Sequence, residues 1–372
     1  MTDITRKKIG IVGGGQLGKM MILEAKRLGF YVAVLDAKEN CPCESICDKL
    51  IVASLSEPQG YRELADTIGN EGVITYEFEH INADALQSLE DDGVTVYPSV
   101  KSLRAIQNKY AQKSLMYERG IPVPRLSKTY DSALGETQIF KSCMGGYDGK
   151  GNWVIRSEKD VPEGVDGFFE EVVDFAMEVS VIVTNGVDKR GVVYPVGENI
   201  HRNNILDTTI VPARGLTEHV LFEAKTAAFR VMELFDDVGT FCVELFITKD
   251  GEVLVNEVAP RPHNSGHYTI EGCFANQFEN HIRAITGLPL GDVSLIKPTV
   301  MVNLLGESNG SASVVGLGAA YKDPKVNVHV YGKPQSRVGR KMGHYTVVGS
   351  DVESALTRAE ALRGIVKIVG EA

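Results

Sequence analysis

The run Gly239-Thr-Phe-Cys-Val-Glu244-Leu-Phe-Ile247 is followed at once by Lys249-Asp250-Gly251 and then by Glu252-Val-Leu-Val-Asn256-Glu257-Val258. Both flanks are apolar and β-rich, and the short polar segment between them reads as a hairpin turn. Antiparallel pairing of two such strands can set Glu244 beside Glu257. Carboxylates held that close repel, and the repulsion is relieved by a shared proton or a cation. Magnesium takes oxygen ligands together with nucleotide phosphates. The expectation is therefore a magnesium site on Glu244 and Glu257, with structural hydrogen bonding of the two acids as the alternative.

Immediately downstream lies Ala259-Pro-Arg261-Pro-His263-Asn264-Ser-Gly266-His267-Tyr268. It is a proline-punctuated polar loop with an arginine and two histidines, and loops of this kind carry function more often than packing. Upstream is a second unusual stretch, Lys141-Ser-Cys-Met-Gly-Gly-Tyr-Asp-Gly-Lys-Gly-Asn152. Its glycines let backbone N–H groups approach an anion, and its lysines are movable charges for phosphate. Read alone, it is a phosphate-covering loop or an ordinary surface turn. Two further strands follow, Gly167 to Val173 and Phe175 to Val183. The second carries Glu178 in apolar surroundings, where a charge needs a ligand or a lysine. A strand from Val192 to Val196, closed by Glu198-Asn-Ile-His201-Arg202, and an amphipathic helix from Val220 to Phe235 complete this region.

The first hundred residues alternate short apolar strands with helical spacings, which implies a parallel, doubly wound sheet. Gly13-Gly-Gly15-Gln-Leu-Gly18 sits between a strand and a helix, with Asp36 ending the next strand. This matches a dinucleotide fingerprint, or a turn serving only close packing. Gly13–Gly18, Asp36 and Glu77–His80 all fall at carboxyl ends of strands, where one ligand could touch them; solvated loop acids are the plain alternative for Glu77 and Glu79. Ser99 to Arg119 reads as one helix with Lys109 and Lys113 four apart on one face. Gly120-Ile-Pro-Val-Pro124 then breaks it and marks a domain boundary nearby.

The chain has 372 residues, 43% of them hydrophobic and 24% charged, with a formal net charge of -10. That length predicts two or three domains. The acidic balance argues against nucleic acid as a partner. There is no apolar run long enough to span a membrane and no signal-peptide core, so a cytoplasmic location is expected. The six cysteines, Cys41, Cys43, Cys47, Cys143, Cys242 and Cys273, lack structural-zinc spacing and read as reduced thiols.

Taken together these motifs resemble the ATP-grasp superfamily. The series Gly13–Met20, Thr75–Glu79, Gly145–Gly151, Glu198–His201, Asn256–His267, Asn303–Gly306 and Arg340–His344 is similar to the N5-carboxyaminoimidazole ribonucleotide synthetase family of purine biosynthesis, over nearly the whole chain. The resemblance implies an α/β fold in three parts: a Rossmann-like pre-ATP-grasp domain (1–110), a two-lobed α+β ATP-grasp domain (111–297) and a small β-rich C-terminal domain (298–372). It implies ATP, bicarbonate and 5-aminoimidazole ribonucleotide as substrates, carboxyphosphate as intermediate, magnesium as cofactor and a homodimer.

Residue by residue, the resemblance puts Lys109 and Lys141 on ATP phosphates, together with the loop glycines Gly146, Gly149 and Gly151. Glu170, Glu171, Val172 and Val173 would hold adenine by strand-edge hydrogen bonds, with Glu178 on ribose and His201 near the nucleotide. Glu244 and Glu257 would take magnesium, with Asn256 beside them. Tyr147, Asp148 and Lys150 would cover the carboxylation site, and Arg261, His263 and Asn264 would orient bicarbonate or carboxyphosphate. Lys333, Arg340 and Lys341 would meet the substrate phosphate, and Gly15, Gln16, Leu17 and Glu77 would also touch substrate. The chain departs from the family pattern at Cys143 and Met144, where relatives carry arginine, at Asn152 in place of glutamine, and in a short segment before Lys141 that leaves little room for a helix. Competing readings are an NAD-dependent dehydrogenase, a formate-using glycinamide ribonucleotide transformylase, and a nucleotide-binding regulator on the same fold.

Overall fold

The computed structural model describes residues 4–146 and 151–371. The chain begins with a five-stranded parallel sheet made of β1 (Ile9–Val12), β2 (Val32–Asp36), β3 (Lys49–Val52), β4 (Val73–Tyr76) and β5 (Thr95–Val96). Its order is β3-β2-β1-β4-β5, and its inner strands are apolar on both faces, as covered parallel strands must be. Helices α1 (Gln16–Arg27), α2 (Pro58–Ile68) and α3 (Ala83–Asp91) make the crossovers.

The single helix read from Ser99 to Arg119 is two, α4 (Val100–Gln107) and α5 (Lys109–Glu118). The break is at Asn108, with φ -99 and ψ 103. Its side-chain oxygen accepts the Ala111 N–H at 2.9 Å, so a cap competes with helix continuation and wins. The turn at Asn108 also points the Lys109 N–H at the Cys143 carbonyl, 2.8 Å away.

A small four-stranded sheet follows: β6 (Leu126–Ser127), β7 (Gln138–Ser142), β8 (Asn152–Ile155) and β9 (Gly167–Glu171), in the order β6-β9-β7-β8. Between β6 and β7 the described helical structure is one 3-10 turn, Ser132–Leu134, in keeping with the shortness of that segment.

The remaining strands of the large lobe are β10 (Phe175–Asn185), β11 (Gly191–Val193), β12 (Gly197–Arg202), β13 (Ile205–Val211), β14 (Gly239–Thr248) and β15 (Val253–Ala259), with helix α6 (Glu218–Phe235) packed on them. The strand read from Val192 to Val196 is short, and residues 197–202 form a strand of their own, with Pro195 in the gap. Helices α7 (Thr269–Gly272) and α8 (Gln277–Thr286) come next, then β16 (Thr299–Leu305), β17 (Gly310–Val315), α9 (Leu317–Ala320), β18 (Val326–Val330), β19 (Gln335–Ser336), β20 (Lys341–Val348), α10 (Val352–Ala361) and β21 (Lys367–Glu371).

The C-terminal strands do not all form a sheet of their own. The path β15-β14-β10-β12-β13-β16-β20-β18 is continuous, because β16 pairs with β13 from Thr208↔Val302 to Val211↔Thr299. A separate small sheet, β19-β17-β21, lies beyond it. The largest core packs α6 against β10, β14 and β15, through residues such as Ala224, Val231, Phe241 and Val255.

Candidate active site

The hairpin that opened the sequence reading forms as expected. Glu244 on β14 stands directly opposite Glu257 on β15. Burial, then the charge of Glu257, raises the Glu244 carboxyl to about 7. Burial opposes ionisation of Glu257 too, but Lys109 and Lys141 outweigh it and hold that carboxyl below its usual range. Neighbouring acids pushed in opposite directions in this way mark a functional site.

Both glutamates face a cavity of about 1070 Å³ bounded by the small sheet, the large sheet and the carboxyl end of β4. Lys109 Nζ lies 3.2 Å from Glu257 Oε1. Lys141 Nζ lies 2.5 Å from Glu170 Oε2 and donates to Asn256 Oδ1 at 3.3 Å. Glu171, Val172, Val173, Glu178, His201, Arg261, His263 and Lys341 also line the cavity. Glu178 meets a histidine rather than a lysine: its Oε2 is 2.7 Å from His201 Nδ1. Burial alone would discharge His201, but Glu178 overrides it and raises the imidazole pKa.

Arg261 is clamped by Glu79 from the first sheet, at 2.9 Å to Oε1 and 3.1 Å to Oε2. His263 is fixed by Gln277, which accepts its N–H at 2.9 Å and donates to its carbonyl at 2.7 Å. The Ser265 N–H donates to His263 Nδ1 at 3.3 Å, so the ring proton sits on Nε2, 3.8 Å from Glu244 Oε1. Burial and then the Arg261 charge push this imidazole well below its ordinary pKa, so it is a neutral donor at pH 7.

The glycine-rich loop joins β7 to β8. Its base is closed by Ser142 N–H donating to the Gly151 carbonyl at 2.9 Å and by Lys141↔Asn152 pairing. Gly145 and Gly146 line the cavity with φ +71 and +84, and a Cβ at Gly151 would lie 2.5 Å from Ser142 Oγ. Tyr147, Asp148, Gly149 and Lys150 lie outside the described residues. At the departure site, Cys143 is buried and its Sγ accepts from Lys128 Nζ at 3.2 Å. A cation from just past β6 therefore sits against Cys143.

The N-terminal residues fall elsewhere. Gly15 N–H donates to Glu77 Oε1 at 2.5 Å, Gly18 N–H to Glu77 Oε2 at 2.9 Å, and Gly14 N–H to Asp36 Oδ2 at 2.7 Å. A Cβ on Gly15 would sit 2.4 Å from the Glu77 carboxylate. The chain's own acids thus occupy the place a pyrophosphate takes in a dinucleotide fold, which removes the basis of the dehydrogenase reading. The Leu17 side chain is in the core, packed with Met21 and Ile22. Asn264 is buried off the cavity, donating to Asn303 Oδ1 at 3.0 Å and accepting from Asn303 Nδ2 at 2.6 Å. Lys333 Nζ donates to Gln16 Oε1 at 2.7 Å, so two expected substrate contacts from opposite ends of the chain meet. Arg340 Nη1 donates to the Gln335 carbonyl at 2.7 Å. Gln16, Glu77, Lys333 and Arg340 are not part of the cavity lining.

Sequence reasoning missed several members. Lys113 Nζ is 2.6 Å from Glu170 Oε1, beneath the cavity. Phe175 and Phe246 stack at 4.8 Å on its wall, beside exposed Val172 and Val154. Half-exposed aromatics at a strand start were the available signal, since folding alone does not leave them wet.

No cluster of three or more His, Cys, Asp or Glu side chains able to hold a metal occurs among the described residues. The donor set at Glu244, Glu257 and Asn256 is all oxygen and suits magnesium, which takes one or two carboxylates and completes its shell with phosphates and water. No helix among the described residues is long and apolar enough to cross a membrane.

An antiparallel sheet facing a small four-stranded lobe across a cavity with lysines on one side and paired acids on the other defines an ATP-grasp protein. Residues 123–278 match the ATP-grasp domain, residues 6–107 the ribonucleotide synthetase preATP-grasp domain, and residues 299–358 the phosphoribosylaminoimidazole carboxylase C-terminal domain. The N5-carboxyaminoimidazole ribonucleotide synthase of Bacillus subtilis (strain 168) is 41% identical over 356 residues, covering 91% of this chain and 90% of its own. The crystal structure of the synthetase from Thermotoga maritima superposes with a TM-score of 0.89 at 42% identity, covering 98% of this chain and 100% of that one. The synthase from Aspergillus clavatus, solved with ADP and 5-aminoimidazole ribonucleotide, gives 0.88 at 32% identity over 98% of this chain and 99% of that one. The chain belongs to the N5-carboxyaminoimidazole ribonucleotide synthetase family.

Proposed function

We propose that this chain catalyses ATP-dependent carboxylation of 5-aminoimidazole ribonucleotide: ATP, bicarbonate and the aminoimidazole nucleotide give the N5-carbamate, ADP and phosphate. The observation that carries the reading is the Glu244–Glu257 pair, one acid pushed up and the other down, facing Lys109 and Lys141 across one cavity. Bicarbonate is a poor electrophile because its oxygens leave badly. Phosphorylation makes one of them a good leaving group, and carboxyphosphate then loses phosphate as it transfers its carboxyl carbon, directly or as released CO2, to the 5-amino nitrogen.

Each part of the wall has a task in that sequence. Lys109 and Lys141 bind the triphosphate and disperse its charge. Magnesium on Glu244 and Glu257 would supply the remaining charge neutralisation during phosphoryl transfer. The Phe175–Phe246 stack, with Val172 and Val154, offers the adenine an apolar slot, and the edge at Glu171–Val173 offers it backbone groups. Arg261, aimed by Glu79, and the Nε2–H of neutral His263 donate to bicarbonate and then to carboxyphosphate oxygens. Tyr147, Asp148 and Lys150 would act at the carboxylation site, from which water must be kept because it would hydrolyse the intermediate. Lys333, Arg340 and Lys341 take the ribonucleotide phosphate, with Gln16 and Glu77 beside them. The working division is 1–110, 111–297 and 298–372, in a cytoplasmic homodimer.

The test is ADP release with each substrate omitted in turn. ADP formation that needs both bicarbonate and 5-aminoimidazole ribonucleotide supports the proposal. ADP formation that follows formate and glycinamide ribonucleotide instead would replace it.

A further inference from the structure

Beneath the phosphate side of the cavity lies a buried cluster with two cations and one anion. Glu170, 2% exposed, receives Lys113 on one oxygen at 2.6 Å and Lys141 on the other at 2.5 Å. Lys113, 3% exposed, reaches Glu170 from α5, one turn after Lys109. We propose that Lys113 and Glu170 are positioning residues for nucleotide binding: Glu170 anchors the Lys141 ammonium, and Lys113 keeps the three-group cluster net positive toward the phosphates. The inference rests on the reading that Lys141 holds ATP phosphates.

Folding does not require this arrangement. A buried carboxylate needs one good cationic partner, and Lys141 alone would supply it. A second buried ammonium adds desolvation that an apolar side chain of similar length would avoid. Its presence is explained by the charge balance. Glu170 and Lys141 by themselves are a closed neutral pair, which presents little net field to an arriving polyanion. Lys109 is already matched with Glu257 at 3.2 Å. With Lys113 present, the cluster carries one net positive charge, held where little water screens it. Burial lowers the Lys113 ammonium to about 8, against the pull of Glu170, so it still carries its charge at neutral pH. Glu170 and Asn256 accept two of the three N–H donors of Lys141 and leave the third to aim at a phosphate oxygen. Because Glu170 sits on β9, next to Glu171 and Val172, the segment that meets the base also fixes the phosphate lysine.

The experiment uses the full chain and four proteins: wild type, Lys113→Met, Glu170→Gln and the double variant. MgATP binding is titrated calorimetrically without bicarbonate, and ADP release is followed separately. Lys113→Met is expected to bind MgATP about tenfold more weakly, with thermal stability equal to or above wild type. Glu170→Gln is expected to bind at least as tightly as wild type, yet to turn over about tenfold more slowly, because Lys141 loses its anchor. The double variant restores one net positive charge and is expected to recover binding to within about threefold of wild type while keeping the slow turnover. Recovery of affinity on adding a second substitution is an outcome a purely structural role does not produce. Should Lys113→Met be insoluble, Lys113→Gln carries the same expectations. Equal binding by wild type and the Lys113 variant overturns the inference alone. Affinity falling in step with stability in every variant does the same. A wild type that binds no MgATP overturns the reading beneath it as well.

Discussion

Glu77, buried just past the end of β4, and Glu244, half-buried in the middle of β14, are glutamates with opposite surroundings. Glu77 looks into backbone N–H groups at 2.5 Å and 2.9 Å. Glu244 looks at another carboxylate. Burial raises both acids, but for Glu77 the Gly18 and Gly15 donors offset part of the rise, whereas for Glu244 the Glu257 charge adds to it. An acid that the chain itself satisfies holds structure together. An acid set against a second acid is left in need of a cation from outside. The same contrast separates the two glycine-rich segments. At Gly13–Gly18 the N–H groups are spent on Glu77 and Asp36, while Gly145 and Gly146 after Lys141 line the cavity.

The contrast can be broken at either end. Glu257→Gln is expected to lower ADP formation by at least about a hundredfold. Its thermal stability should fall far less than its activity, since the lost pairing with Lys109 is offset in part by the lost repulsion with Glu244. A stability loss matching the activity loss would erase the distinction. Glu77→Ala should behave the other way, costing about 2 kcal/mol in urea unfolding because two buried N–H groups lose their acceptor. If its stability is unchanged, the cap is ornamental and a ligand-facing role for Glu77 gains weight.

Glu79→Gln sharpens the comparison from a third acid, one satisfied by a side chain rather than by backbone. Arg261 would keep a hydrogen-bond partner but lose its charge partner. The Michaelis constant for bicarbonate should rise about tenfold with kcat less affected; an unchanged constant would place bicarbonate elsewhere.

A buried base extends the contrast to pH. His281 joins the first sheet to the large one, receiving the Thr240 N–H on Nδ1 at 3.1 Å and meeting Thr75 Oγ1 through Nε2 at 2.8 Å. Burial lowers its pKa from 6.5 to about 3. Below pH 6.5 the unfolded chain therefore binds a proton that the native chain refuses until about pH 3. The stabilisation is complete above the higher value and is lost as pH falls through that window, by up to about 1.4 kcal/mol per pH unit. Urea midpoints measured between pH 7 and 4 should fall less steeply for His281→Asn than for the wild-type chain. Parallel slopes would mean other groups control the acid limb.

Much of this was legible in the sequence because it is local or periodic. The β14–β15 hairpin needed one turn signal and two apolar runs, and those fixed which acids face each other. The parallel sheet followed from alternating elements. What stayed hidden depends on partners far apart in the chain. Spacing left Gly13–Gly18 open between a dinucleotide turn and a packing turn, because nothing nearby shows that Glu77 fills it. Lys113 had the same helical face as Lys109, yet only the fold reveals that one reaches Glu257 and the other Glu170. The split at Asn108 was missed because apolar spacing runs through it, while a side-chain cap decides the matter. Asn264 looked like a site residue by its company, and its amide belongs to Asn303.

The pairing of β16 with β13 has a consequence for how the molecule comes to exist. A ribosome releases β13 well before residues 299–305, so an emerging chain presents a seven-residue strand, Ile205–Val211, with one edge open. Open edges recruit other strands. Nascent chains truncated near residue 297 are therefore expected to aggregate or recruit chaperones, and the last fifth of the sequence acts as the stopper that ends that exposure.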